Sequence, residues 1–393
     1  MERAVTPPRP TTISRDAATA AALLPATPDG DYARRVLLPM MTQGTQAFVA
    51  NVQAQVQLAH VDDLVLPLMV VAAPRTRRSG QAYVTSMLTH YVDYAQREIE
   101  LELQQQPHLR RIAPHLLEGL RPILHIGRAD QCVYVNNWLL STNLYPPLTP
   151  DLITALHAAL VQAFPQHSIV FRSLNVELHA ELLAELRRRG YVALFSRQVY
   201  LLDPRDRAYR RRTDVKNDLR LARRTPYQWR THTDLHQHDL PRLRALYDDL
   251  YLHKYSRHNP QFTLRFFSYA LRHNWATLAA LAHHSRLDGL LGYIERNGIL
   301  TAPLVGYDRR VPQAAGLYRL ITMRLSEIAA ERGCILHASA GAARFKRTRG
   351  AVPVLEYSMV FAHHLAPHRR LGWAILAHLL DQIVVPITQQ HEL

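Results

Sequence analysis

Lysine and cysteine are nearly missing from this chain, which carries three Lys within a combined 47 Lys and Arg and two Cys in 393 residues. Cys132 and Cys334, each in an apolar strand-like context, cannot build a disulfide framework and read as reduced core residues. Because arginine carries nearly all the positive charge, Lys216, Lys254 and Lys346 stand out. Long apolar runs are absent too. The longest, Leu64 to Pro74, falls far short of the ~18 to 20 residues a membrane span requires. The start, MERAVTPPRPTTISRDAATAAALLPATPDG, has no basic opening followed by a continuous apolar stretch. That pattern argues against a secretory leader and predicts a cytoplasmic protein. The 22 histidines form no His-Glu-x-x-His and no Cys/His quartet. His283-His284 and His363-His364 are adjacent pairs that cannot share a face, so no metal site is expected.

Acid is also in short supply. Thirty-two Asp and Glu leave a formal net charge of +15. Such an excess implies a polyanionic partner: tRNA, a phosphorylated cofactor or an acidic carrier protein.

The chain is long enough for two domains, and two segments share one order of elements. After an arm expected to be loosely ordered over residues 1–35, the first segment spans 36–203. Its apolar runs at Gln46–Ala59 and Leu64–Ala73 predict a hairpin turning at Asp62 and Asp63. Helical spacing follows over Tyr83–Gln106 and Arg110–Leu124, then a strand over Cys132–Leu140. Thr149 and Pro150 open a further helix. A short strand at Ser168–Arg172, a helix over Glu177–Arg189 and a strand over Tyr191–Leu202 complete the segment. A basic helical linker is expected over 204–230, within which RRRTDVKNDLRLARR carries Arg212, Lys216, Arg220, Arg223 and Arg224.

The second segment, 231–362, repeats the order. Helices over Asp239–Tyr255 and Thr263–Arg272 precede three antiparallel strands, and Arg296-Asn297-Gly298 makes the tightest turn between them. A helix over Gly316–Arg332, a strand over Cys334–Ser339, a short helix over Gly341–Thr348 and a strand over Val352–Phe361 follow. An extra helix is expected within 363–393.

This twice-repeated order resembles the GNAT acyltransferase superfamily over nearly the whole chain. NVELHAELLAELRRRGYVALFSRQVYLLD resembles the ending of a GNAT domain. ILTAPLVGYD followed by RRVPQAAGLYRLITMRLSEIAAERG resembles the GNAT anion loop, in which a helix N-terminus cradles pyrophosphate. Gln313 and Gly316 supply its first two anchors, but Tyr318 stands where Gly or Ala belongs. The basic run before the second segment, together with ASAGAARFKRTRGAVPVLEY, resembles tandem-GNAT Fem-type peptidyltransferases, with Phe345-Lys346 and Arg349-Gly350 fitting a Phe/Tyr-Lys-x-x-x-Gly segment. The resemblance implies an α/β protein of two GNAT-like domains in tandem, each a mixed, mainly antiparallel sheet flanked by helices. It also implies transfer of an aminoacyl group from charged tRNA, or of an acyl group from a coenzyme A or carrier-protein thioester, to an amine or hydroxyl. The acceptor would be a small molecule or peptide. No bound cofactor is needed, aminoacyl-tRNA acting as co-substrate. A catalytically silent, RNA-binding double GNAT stays open.

GNAT-type chemistry holds a nucleophile beside a carbonyl between splayed strands. Tyr307 and Asp308 close a strand there, so Asp308 could be a general base or a strand-end cap. His337 could accept a proton or be a satisfied core histidine. Glu356 and Tyr357 alternate on the last strand, one inward and one outward. Lys346 sits in a basic cluster with Arg344, Arg347 and Arg349, which together with Arg309 and Arg310 suits a phosphate or carboxylate. Tyr251, Lys254, Tyr255 and Asn259 form a polar-aromatic helix end where GNAT proteins contact the acceptor. Asn136, Asn137, Trp138 and Tyr145 could do the same or satisfy irregular backbone.

Overall fold

The computed structural model describes residues 11–72, 80–102 and 107–391. Six strands come from the first part of the chain: β1 (Thr12–Ser14), β2 (Gln55–Val61), β3 (Leu64–Val70), β4 (Cys132–Val135), β5 (Ser168–Leu174) and β6 (Val192–Leu202). Six more follow: β7 (Gln228–Arg230), β8 (Thr277–His283), β9 (Arg286–Arg296), β10 (Ile299–Tyr307), β11 (Ile335–His337) and β12 (Val352–Phe361). The helices are α1 (Ala17–Leu23), α2 (Pro28–Gln43), α3 (Ala95–Glu102), α4 (Pro107–Ile126), α5 (Pro150–Ala163), α6 (Val176–Arg188) and α7 (Arg207–Arg211). They continue with α8 (Thr213–Arg224), α9 (Leu240–Asp248), α10 (Leu264–His273), α11 (Leu317–Glu331), α12 (Ala343–Thr348), α13 (Pro367–Leu379) and α14 (Val385–His391).

Local chemistry accounts for many boundaries. Asp62, at φ +53°, turns β2 into β3, and Asn297 and Gly298, at +52° and +73°, turn β9 into β10. Thr149 and Thr263 cap α5 and α10 by accepting from the amides of Leu152 and Phe266.

The expected pair of separate sheets is corrected by the structure. All twelve strands form one mixed sheet in the order β1-β2-β3-β4-β5-β12-β6-β11-β10-β9-β8-β7. The junction is an exchange of closing strands. β12 inserts between β5 and β6, while β6 inserts between β12 and β11. β6 and β12 pair antiparallel from Val352↔Leu201 to Val360↔Val192, setting Glu356 opposite Arg197. Two further expectations change. The arm expected to be loose is ordered from Thr12, where β1 pairs with β2 and α2 buries Ala33, Val36 and Leu37. Residues 1–10 lie outside the described part. The strand expected from Gln46 begins only at Gln55, because Phe48, Val49 and Val52 are core anchors in a loop.

Side-chain alternation gives the sheet two covered faces. α2, α9, α10 and α13 pack on one. On the other, α5 and α6 cover one end and α11 the opposite end. Leu317, Leu320, Ile321, Leu325 and Ile328 bury one side of α11, each contributing about 1.5–3 kcal/mol. Among the described residues no helix is long and apolar enough to cross a membrane, and no group of three or more His, Cys, Asp or Glu could hold a metal ion.

Candidate active site

β10 and β11 run parallel and stay paired only through Ile299↔Ile335, Leu300↔Leu336 and Thr301↔His337. The cause is in the sequence. Pro303 has no amide to donate, and the β9–β10 register slips between Thr301 and Leu304. β11 ends at His337, and the two strands part. A cleft of about 1460 Å3, counted with its open mouth, occupies the gap. Its walls include Tyr83 and Tyr251 from one face of the sheet and Leu202, Leu325 and Leu336 from the other, so it passes between the two layers.

The corresponding gap in the first part of the chain is closed. The Tyr145 hydroxyl approaches the carbonyls of Arg172 and Val135 at 2.8 and 3.3 Å, bridging β5 and the end of β4. The Asn136 amide donates to Leu144 O and the Asn137 amide to Val84 O, so these side chains satisfy irregular backbone. Only the second gap is open.

Tyrosines build one wall of the cleft. Tyr83 stacks on Tyr94 with ring centroids 4.5 Å apart, and Tyr251 stacks on Tyr247 at 4.8 Å. Tyr94 and Tyr255 end two π-helical turns, Thr89–Tyr94 and Asp249–Tyr255, a rare geometry that re-aims side chains at functional sites. Arg97 joins the turns by donating from Nε to Tyr255 O at 2.9 Å. Burial pushes the Tyr83, Tyr94, Tyr251 and Tyr318 phenols up, so they remain neutral hydroxyls.

A buried charge cluster lies at the strand exchange. Arg197 donates from Nε to Glu356 Oε1 at 2.8 Å and from Nη2 to Ser141 O at 2.7 Å. Burial alone would raise the Glu356 carboxyl, yet Arg197 and then His337 hold it down at about 2. His337 Nδ1 accepts the Ser339 amide at 3.3 Å, which puts the ring proton on Nε2, 3.4 Å from Glu356 Oε2. His337 therefore lines the cleft as expected but keeps no lone pair for a substrate proton.

The opposite wall is the loop after β11. Ser339, Gly341 and Ala342 all have positive φ (57°, 73° and 52°), a strained run for two residues that carry a Cβ. Lys346 holds it in place. Its buried Nζ donates to Ser339 O at 3.0 Å and Ala340 O at 2.7 Å, and lies 5.2 Å from the Tyr200 ring centre. Lys346 thus lines the cleft, where the sequence suggested it would meet a phosphate or carboxylate, with its ammonium engaged by the carbonyls of the loop. Arg349 lies 3.5 Å over the Phe345 ring and donates from Nε to Asp218 Oδ2 at 2.6 Å, while Arg319 Nε reaches Asp218 Oδ1 at 2.6 Å. α8 is thereby strapped over the start of α11. Leu221 packs so tightly on Gly316 that a Cβ there would collide with it. The glycine anchor of the expected anion loop is buried, while Gln313 is exposed.

Several expected residues stand elsewhere. Asp308 is buried outside the cleft wall, taking 2.8 Å contacts from Arg242 and Arg310. Those hydrogen bonds hold its carboxyl far below the usual range, so it is a structural anion and not a base. Tyr307 lies beside Tyr318 at 6.0 Å without reaching the cleft wall. Tyr357 packs on Phe195. Asn259 lines the cleft, but its amide donates to Tyr251 O and Ser256 O as a turn anchor. Tyr251 and Tyr255 line it. The Lys254 ammonium rests 5.0 Å from the Tyr255 ring centre. Arg309 approaches Asp249 at 3.4 Å. Arg212, Lys216, Arg220, Arg223, Arg224 and Arg344 are exposed, and Arg347 is half-buried. Arg212 joins α8 to α12, packing on Gly350 and donating to Arg347 O at 3.5 Å.

Sequence reasoning missed Arg197, Tyr83, Tyr94 and Glu98. Only Arg197 left a signal, as a lone cation in an apolar strand.

Neither a protein-family model nor a curated protein sequence matches the chain. Solved structures similar to it include FemX, at 9% identity over 93% of this chain and 99% of that one, with a TM-score of 0.49. L-PGS from Bacillus licheniformis is 15% identical over 59% of this chain and 78% of that one, with a TM-score of 0.41. A GCN5-related N-acetyltransferase from Kribbella flavida is 13% identical over 60% and 83%, with a TM-score of 0.33. Fem-type and GNAT structures are thus among those similar to this chain.

Proposed function

We propose that the chain is an acyltransferase working in the cleft between β10 and β11, with aminoacyl-tRNA as donor and an amine or hydroxyl as acceptor. The observation that carries this reading is the opening at the parted strands, whose walls bring tyrosine side chains on one side and the loop after β11, anchored by Lys346, on the other. The two expected halves, 36–203 and 231–362, then divide the work, since only the second leaves its gap open. Within the cleft, strand amides freed where β10 and β11 part are positioned to stabilise an oxyanion. The tyrosine wall orients the nucleophile, and the strapped loop at 339–342 shapes the carbonyl site. Exposed Arg212, Lys216, Arg220, Arg223 and Arg224 on or beside α8, with Arg344, provide the phosphate contacts a cytoplasmic tRNA partner needs. A coenzyme A or carrier-protein thioester is the second reading. The resemblance to the GNAT anion loop favours it, but Leu221 seated on Gly316 weighs against an open pyrophosphate cradle. The test is a mass-spectrometric screen of charged tRNAs and acyl thioesters for one that the protein consumes. Retardation of RNA without consumption of any donor would replace the enzyme reading with a binding protein.

A further inference from the structure

We propose that Arg319 and Arg349 form a phosphate-binding site that Asp218 fills from within the chain, and that a phosphorylated ligand binds there by displacing α8. Only the identity of the ligand, a phosphate-bearing acyl donor, rests on the acyl-transfer reading above. The Asp218 carboxylate is 2% exposed and is gripped by both guanidinium groups. Arg319 Nε donates to Oδ1 at 2.6 Å, while Arg349 donates from Nε to Oδ2 at 2.6 Å and from Nη2 to Oδ1 at 3.1 Å. Arginine forks hold phosphate in the same way that they hold carboxylate. Asp218 and Arg349 both line the cleft, so a ligand reaches the pair from there.

α8 is weakly seated. Of its twelve residues only Val215 and Asp218 are buried, while Lys216, Arg220, Arg223 and Arg224 are exposed. Little apolar area holds the helix down, and elements packed in this way open first. Arg212 and Thr225 bound it in extended conformation, with ψ of 138° and 141°, and supply a hinge at each end. Leu221 is seated on Gly316, so the movement that withdraws Asp218 also uncovers the Gly316 backbone beside Arg319. No covalent bond changes; one anion replaces another between the same two cations.

The test titrates the full chain with inorganic pyrophosphate by calorimetry and follows hydrogen exchange of the α8 amides. Asp218→Asn keeps the shape of the side chain but removes the competing charge, and should tighten pyrophosphate binding at least about 10-fold. Leu221→Ala leaves the ion pairs intact and should tighten it roughly 3-fold, a second arm if the Asn variant folds poorly. Adding Arg349→Gln to Asp218→Asn should abolish the gain. Saturating pyrophosphate should speed exchange over residues 213–224 of the wild type. Coenzyme A and the trinucleotide cytidylyl-cytidylyl-adenosine, titrated in parallel, separate the two sources of phosphate by which of them shows the Asp218→Asn gain. Unchanged affinity in both single variants, a gain that survives Arg349→Gln, or exchange of α8 that ignores pyrophosphate overturns the proposal. Failure of every donor to be consumed would instead count against acyl transfer, and the two outcomes are read separately.

Discussion

Glu356→Gln should cost about 3 kcal/mol of folding stability at neutral pH. The side chain is fully buried between Arg197 and His337, and its carboxyl is held at about 2 against an ordinary 4.5. That difference corresponds to about 3 kcal/mol favouring the ionised form in the folded protein. Removing one partner of a buried ion pair independently gives about 3–5 kcal/mol, because Arg197 is left without its counter-charge. The pH dependence follows from the direction of the shift. A depressed carboxyl contributes stability that is present above about 4.5 and is lost as the pH falls toward about 2. The gap between wild type and variant should therefore be widest at pH 7, narrow below pH 4.5 and close near pH 2. Urea unfolding followed by tryptophan fluorescence at pH 7, 4.5 and 3 measures it. A double Arg197→Met/Glu356→Leu variant should recover most of the loss, since neither charge is then desolvated. An unchanged urea midpoint at pH 7, or a gap that stays constant down to pH 3, would refute the assignment.

Lys346→Ala should lower turnover roughly 30- to 150-fold and also lose about 2–4 kcal/mol of stability, because two charge-assisted bonds to Ser339 and Ala340 disappear. Wild-type turnover and melting temperature together would show that the loop needs no anchor. Asp308→Asn should lose about 1–3 kcal/mol through its contacts with Arg242 and Arg310 while keeping its turnover. Turnover collapsing at unchanged stability would restore Asp308 as a base. Replacing Arg220, Arg223 and Arg224 with Ala should make the dependence of charged-tRNA affinity on salt shallower by about 2 to 3 in the log–log slope. A wild-type affinity that stays flat from low to moderate salt would remove RNA from the account.

What could be read from the sequence was what neighbouring residues decide. The β2–β3 and β9–β10 hairpins follow from Asp62 and from Asn297-Gly298, and the starts of α5 and α10 follow from Thr149 and Thr263. The strand exchange is different in kind. β6 and β12 have similar apolar patterns, and which neighbour each takes depends on partners more than a hundred residues away. Arg197 and Glu356 held the clue, as two opposite charges in strands otherwise destined for burial. The tyrosine wall left less trace. Tyr83, Tyr94 and Tyr251 are brought together by two π-turns, and amphipathic spacing does not distinguish a π-turn from an ordinary helix. For Tyr145 the sequence leaves acceptor contact and backbone support open, and the hydroxyl bridging β4 and β5 is a long-range contact that its neighbours do not encode.

The exchange of closing strands also bears on how the chain can be made. Among the described residues β6 has no ladder to β5 or to any other strand before it; both its neighbours, β11 and β12, are synthesised later. As the polypeptide leaves the ribosome, β5 presents an open edge and β6 an unpaired apolar segment until residue 361 has emerged. Such edges invite pairing with other chains. A fragment ending near residue 203 should then aggregate rather than fold, and the native protein should acquire its sheet late, in one concerted closure of the last strand between two that have been waiting for it.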